Sequence, residues 1–269
     1  MPTSGHECHH ECHHMSTDSE TRSRYSNPPI IEAICEFYFA PGLEWDPTLP
    51  GKLHTNLGDE YPGKPRHQES IEFGVQFRGG SPQNFQFGEG PKKVQLITEN
   101  EKRIVGIGRD VLSVHMLRPY QDPHDSDKTG WDEFRPRISR ALSAYWEVVR
   151  PQGVKRVGIR YINKLVVPGE VTTAKEYLNC ALPEVDGLPS RLVNLMSQVE
   201  YAYRDGVKLA LSQGKVEGGF ILDIAVIGES DDVLTLEDTG ALVDDLRGRE
   251  REAFEAVITD KARGLFNAA

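Results

Sequence analysis

No stretch of the 269-residue chain approaches the ~20 consecutive apolar residues of a membrane-spanning helix, so none is expected. The N-terminus carries no apolar core of the kind a secretory signal has, so no such signal is expected either. Cationic charge is in short supply. The chain has 31 Lys and Arg against 41 Asp and Glu, a net charge of −10. A general nucleic-acid binder needs a basic footprint, and this balance argues against one. Cysteine is scarce: Cys8 and Cys12 lie in an unusual tail, Cys35 and Cys180 in the body. Four thiols so placed form no disulfide framework, and a reducing cytoplasm is the expected compartment. The chain has no Walker loop, no dinucleotide fingerprint and no Gly-x-Ser-x-Gly elbow. Those gaps weigh against the common nucleotide enzymes and hydrolases.

What the chain does have is pattern. The segment VKRVGIRYINKLVV, residues 154–167, is its best-defined strand. Side chains alternate along a strand. One face therefore takes Val157, Ile159, Tyr161, Leu165 and Val167, with Lys155 and Asn163. The other takes Arg156, Arg160 and Lys164. A second strand, IIEAICEFYFA at 30–40, puts Ile31, Ala33, Cys35, Phe37 and Phe39 on one face and Glu32 and Glu36 on the other. Between these two strands come a short helix from Pro47 to about Leu57, capped by Asp46, and a loop over 58–70. Strands follow at 71–78, 84–88, 93–100, 103–110 and 111–117. An amphipathic helix from Trp131 to Val149 has Thr129 and Asp132 as an approximate capping box. Pro136 should kink that helix or delay its start.

After the central strand the sequence reads as a short helical piece near Ala174–Leu178. Three strands come next, LMSQVEYAYRDG, VKLALSQG and GFILDIAVIGE, with Arg204-Asp205-Gly206 as a hairpin turn. Helical sequence from about Leu236 to Phe266 ends the chain, weakened at Gly240 and Gly248 so that two segments are expected. The fold class is α+β, an antiparallel sheet with long amphipathic helices. Residues 1–26 form a polar tail. Residues 27–150 and 151–269 form two halves with the same order of elements, an order that admits a pseudo-repeat.

The tail reads MPTSGHECHHECHH before Met15. His6, Cys8, His9, His10, Cys12, His13 and His14 are ligand types that suit zinc, and several stand four apart, on one face of a helix. The tract is also low in complexity and has no apolar partner, which fits incidental sequence ahead of a start at Met15. No cofactor is called for elsewhere. Of the remaining histidines, His54, His67, His115 and His124, none has a His-x-x-x-His partner.

The charged faces of the two lead strands supply the candidate site. Glu32 and Glu36 have the spacing of Arg156 and Arg160. If the strands are antiparallel neighbours, Glu32 faces Arg160 and Glu36 faces Arg156. The alternative is a ligand or partner site in which Arg156 and Arg160 clasp an anion with Tyr161 or Asn163 nearby. Glu32 and Glu36 lie ~13 Å apart along the strand, too far for paired glycoside chemistry. Asp223 interrupts an apolar strand and needs a partner. Cys35 sits on an apolar face as packing, with no cation beside it to favour a thiolate.

Three blocks, NPPIIEAICEFYF at 27–39, RVGIRYINKLVVP at 156–168 and EAFEAVITDKARGLF at 252–266, resemble a sporadically distributed bacterial family of about 250 residues with no assigned function. The resemblance implies no catalytic residue and no cofactor. By analogy, patchy distribution implies an accessory setting such as defence or toxin–antitoxin loci. The leading expectation is a non-enzymatic binding protein that engages a protein partner or an anionic ligand. The alternatives are an enzyme acting on a phosphorylated or nucleotide-like substrate through Glu32, Glu36 or Asp223, and a metal-handling protein acting through the tail.

Overall fold

The computed structural model describes residues 25–42, 44–68, 71–78, 81–89, 93–120, 130–169, 173–181, 187, 189 and 192–267. In chain order the elements are β1 (Ile30–Phe39), α1 (Leu49–Leu57), β2 (Arg66–Gln68), β3 (Ile71–Arg78), β4 (Ser81–Glu89), β5 (Lys93–Ile97), β6 (Arg103–Ile107), β7 (Val111–Leu117), α2 (Trp131–Val149), β8 (Val154–Val166), β9 (Met196–Ala202), β10 (Lys208–Val216), β11 (Gly219–Leu234), α3 (Leu236–Val257) and α4 (Asp260–Asn267). This is the expected α+β class. Among the described residues one antiparallel nine-stranded sheet runs β2-β5-β6-β7-β1-β8-β11-β10-β9, and β3 and β4 form a separate hairpin.

The two lead strands, β1 and β8, lie side by side and antiparallel at the centre. On either side of this seam the order is the same: lead strand, then the last strand of its half, then the earlier ones outward. Strand order is all that the two halves are shown to share, and one continuous sheet joins them.

Alternation decides which side is covered. Ala33, Cys35, Phe37 and Phe39 of β1 and Val157, Ile159, Tyr161 and Leu165 of β8 are buried under the helices. Leu53 and Leu57 of α1, Phe134, Ile138 and Tyr145 of α2, and Val243 and Leu246 of α3 pack against them. Each such side chain contributes about 1.5–3 kcal/mol by leaving water. Tyr145 stacks on Phe39 at 4.3 Å and donates a hydrogen bond to the Arg109 carbonyl at 3.0 Å.

Several local expectations are corrected. The first helix starts at Leu49 because the Asp46 carboxylate accepts from Thr48 N at 2.8 Å and Thr48 Oγ1 at 2.7 Å, a turn that precedes the helix. The stretch 58–70, read as loop, contributes the short edge strand β2. Helix α2 begins at Trp131 with Pro136 inside it, behind a Gly130 N-cap at φ 65°. The partner expected in its capping box, Thr129, lies outside the described residues. Residues 174–178 make a single turn, with Leu178 N donating to Ala174 O at 2.9 Å. The C-terminal helical stretch breaks at Ile258, not at Gly240 or Gly248. Leu178 bridges Ile258, Asn179 N donates to Val257 O at 2.8 Å and Thr259 N to Tyr177 O at 3.1 Å, so strand-like pairing pulls the chain out of the helix there.

Candidate functional site

No described helix packs on the second face of β1, β8 and β11, and this face carries the charges. Arg156, Arg160 and Lys164 point to it from β8, Glu32 and Glu36 from β1, and Asp223 and Glu229 from β11. The lead strands are neighbours as expected, but the expected facing pairs do not form. The register sets Ile34 opposite Arg160, Tyr38 opposite Arg156, Glu36 opposite Gly158 and Glu32 opposite Ile162. Each carboxylate is therefore two residues out of line with its intended arginine.

Both sets of charges find other partners. Arg160 Nε donates to Asp223 Oδ1 at 2.9 Å and its Nη2 to Oδ2 at 2.5 Å, a two-pronged bond across to β11. Those bonds raise the Arg160 pKa further. Arg156 lies 3.9 Å from Glu229 and stacks 4.7 Å above the Tyr38 ring. Asp223, whose need for a partner was legible, has it in Arg160.

On β1 the carboxylates turn the other way. Lys93 Nζ donates to Glu36 Oε1 at 2.7 Å and to Ser113 Oγ at 3.3 Å. Ser113 Oγ lies 2.9 Å from His115 Nε2, and His115 Nδ1 lies 2.9 Å from Glu32 Oε1. Burial pushes the Glu36 carboxyl up, but the charge and hydrogen bond of Lys93, with His115 and Arg156, outweigh it and hold the group below its usual range. Gly106 fits here for a steric reason. A Cβ at that position would sit 2.5 Å from Ser113 Oγ and 3.3 Å from Lys93 Cδ. The Ser113–His115–Glu32 order is that of an acyl-transfer relay. Ser113 is fully buried, however, and the Lys93 ammonium sits against its oxygen. The arrangement is a closed polar network on the sheet. Reading the sequence singled out neither Lys93 nor Ser113; the signal it offered was the alternation of Ser113 and His115 along one strand face.

Tyr161 and Asn163 do not join the arginines. They are odd-numbered residues of β8, buried on the helix side, so the same alternation that defines the strand separates them from Arg156 and Arg160. Asn163 Nδ2 donates to the carbonyls of Tyr161 at 3.3 Å and Leu222 at 3.2 Å and is spent on the backbone. Tyr161 belongs to a second cluster under α3. Its hydroxyl lies 2.7 Å from that of Tyr120, and the Arg247 guanidinium stands 4.3 Å above its ring. Arg247 also donates to the buried carboxylate of Glu250. Burial pushes the Glu250 carboxyl up to about 7 although Arg247 and Arg251 pull it down. Burial likewise pushes Tyr161 well above the usual phenol range and Tyr120 to about 12. Glu250 could have been found from spacing: it falls four after Leu246 and four before Phe254, on the buried stripe of α3.

The seven tail ligands, His6, Cys8, His9, His10, Cys12, His13 and His14, lie outside the described residues. Among the described residues no group of three or more His, Cys, Asp or Glu could hold a metal ion. Cys35 is buried, and burial pushes its thiol well up, as expected of a packing residue. No described helix is long and apolar enough to cross a membrane. Comparison with protein-family models gives no match to this chain, and comparison with curated proteins gives none either.

Proposed function

We propose that the chain is a non-enzymatic binding protein that engages a protein partner through the face of β1, β8 and β11 on which no described helix packs. The observation that carries this reading is the mosaic on that face. Arg160 is 49% exposed and Val166 58% exposed, and cations on β8 are flanked by acids on both neighbouring strands. A face of paired, mixed-sign charges with apolar residues between them suits another folded protein surface of mixed charge. It gives a polyanion little to hold, since each bridged guanidinium already has a carboxylate, and the net charge of −10 repels one at long range. The enzyme reading has less support. Glu32, Glu36 and Asp223, its acid/base candidates, are bound to His115, Lys93 and Arg160.

The resemblance to the sporadically distributed bacterial family belongs to the same proposal, together with a cytoplasmic place and an accessory setting such as defence. Its three blocks fall on β1 and β8, the central strands of the sheet, and on the α3–α4 region. The test is site-directed photo-crosslinking in extracts of the source cells. A photoreactive residue at Val166, on the open face, is compared with one at Arg140, on the helix layer. A discrete crosslinked protein is expected from Val166 only, weakened about tenfold or more by Arg160→Ala in a protein that stays folded. Equal crosslinking at both positions, or a Val166 product indifferent to Arg160→Ala, sinks the reading.

A further inference from the structure

The two edges of the sheet are unlike. The β2 edge is three residues long, follows Pro65 and carries Arg66, tied to Glu101. Short length, charge and proline are the usual guards of an edge. The β9 edge is neither short nor guarded by proline, and Glu200 is its one charge. It is seven residues, MSQVEYA, without Lys, Arg or Pro. Met196 is 83% exposed, Val199 44% and Tyr201 52%.

The hydrogen bonds say which backbone groups are left over. Lys215 N donates to Leu195 O at 2.9 Å, and Tyr203 N to Val207 O at 2.7 Å. Bonded pairs alternate along an antiparallel ladder. The odd residues of β9 therefore bond inward to β10, and Met196, Gln198, Glu200 and Ala202 aim both N–H and C=O outward. Among the described residues nothing pairs with them.

We propose that this edge is the interface of a homodimer, in which β9 of two copies pair antiparallel about a two-fold axis through Val199. That centre makes Met196 face Ala202 of the other copy and Gln198 face Glu200. Each hydrogen-bonded pair exchanges two bonds, about eight in all. The Gln198 amide meets the Glu200 carboxylate, whereas a centre on Glu200 would set two carboxylates opposite each other. Val199 meets itself at the close, non-bonded position, beside Tyr201, and both gain cover on the helix side. The axis is normal to the sheet, so one sheet runs through both copies with all helices on one side. An edge contact is smaller than the ~1,600 Å² of a standard interface, so a micromolar dimer is expected.

Sedimentation velocity of the full chain from ~5 to ~300 μM reads the outcome. The wild type is expected to shift from monomer to dimer across this range. Gln198→Pro removes only an outward N–H, which an edge strand tolerates. It should give a monomer whose far-UV spectrum matches the wild type. Should that variant misfold, the charge pair decides. Val199→Lys and Val199→Glu each place like charges across the axis and should each weaken the dimer about tenfold or more, and a one-to-one mixture should restore it. A wild type that stays monomeric throughout overturns the proposal and leaves the edge to a strand of another protein. A dimer that survives Gln198→Pro, or a mixture that fails to restore association, overturns it as well. The face-specific crosslink at Val166 is a separate readout, so the two proposals fail independently.

Discussion

Alternate residues of β8 meet two different electrostatic worlds. On the open side Arg160 bonds Asp223 at the edge of water, and on the helix side Tyr161 receives Arg247, which is bound to a fully buried Glu250. The pairs have similar chemistry, a guanidinium bonded to a carboxylate. They differ in what replaces the partner when one member is lost. Water can reach Asp223, which is 18% exposed, but not Glu250. The same bond is therefore a surface feature on one face of the strand and a structural commitment on the other.

The largest expected effect follows from that contrast. Arg247→Ala leaves Glu250 buried without its nearest cation and strips the cation from the Tyr161 ring. A loss of roughly 3–5 kcal/mol is expected, as for other broken buried pairs. Urea unfolding at pH 9, where the folded Glu250 carboxyl is ionised, measures it. A loss under about 1 kcal/mol would mean that Glu250 is hydrated or held by Arg251, and the two faces would then be alike.

Glu250 sharpens the comparison through pH. Its folded-state carboxyl is raised from 4.5 to about 7, with burial as the cause. Between these values the unfolded chain has released the proton and the folded chain still holds it. Stability from this group therefore falls as pH rises from about 4.5 to about 7, by roughly 3 kcal/mol at 1.36 kcal/mol per unit, and is level above. Glu36 has the opposite sign and a different window. Its lowered carboxyl contributes stability above the ordinary carboxylate range, and that is lost as pH falls through the folded value. Glu250→Gln should remove the falling limb, so the variant gains on the wild type between pH 5 and pH 8. Parallel unfolding free energies at the two pH values would show that Glu250 ionises normally.

The alternation in β1 and β8 was legible because apolar residues recur at every second position, and it correctly gave the two lead strands; their adjacency was expected from the matched spacing of opposite charges, and the strands are neighbours although those charges do not face each other. Register was not legible. Glu32/Glu36 and Arg156/Arg160 share a spacing, and a shift of two residues keeps every side chain on its own face, so the hydrophobic pattern cannot tell the two registers apart. Lys93 and His115, the partners that Glu36 and Glu32 took, come from strands distant in sequence, and no local pattern announces them. The grouping of Tyr161 with Arg160 was an avoidable error, since neighbours on a strand point opposite ways. The break at Ile258 was hidden because its cause, pairing with 177–179, is tertiary.

The smallest expected effect tests the open side. Arg160→Ala removes a two-pronged bond, but the arginine is half in water and Asp223 can be rehydrated, so solvent screening leaves only about 1 kcal/mol of stability at stake. Arg160→Lys keeps the charge and loses the fork, and should recover less than half of that. The double variant with Asp223→Ala isolates the pair: a coupling near 1 kcal/mol is expected from the cycle. A coupling of 3 kcal/mol or more would mean that the face is covered as the helix side is. The residue proposed to meet a partner would then be a core residue, and the difference between the two faces of β8 would vanish.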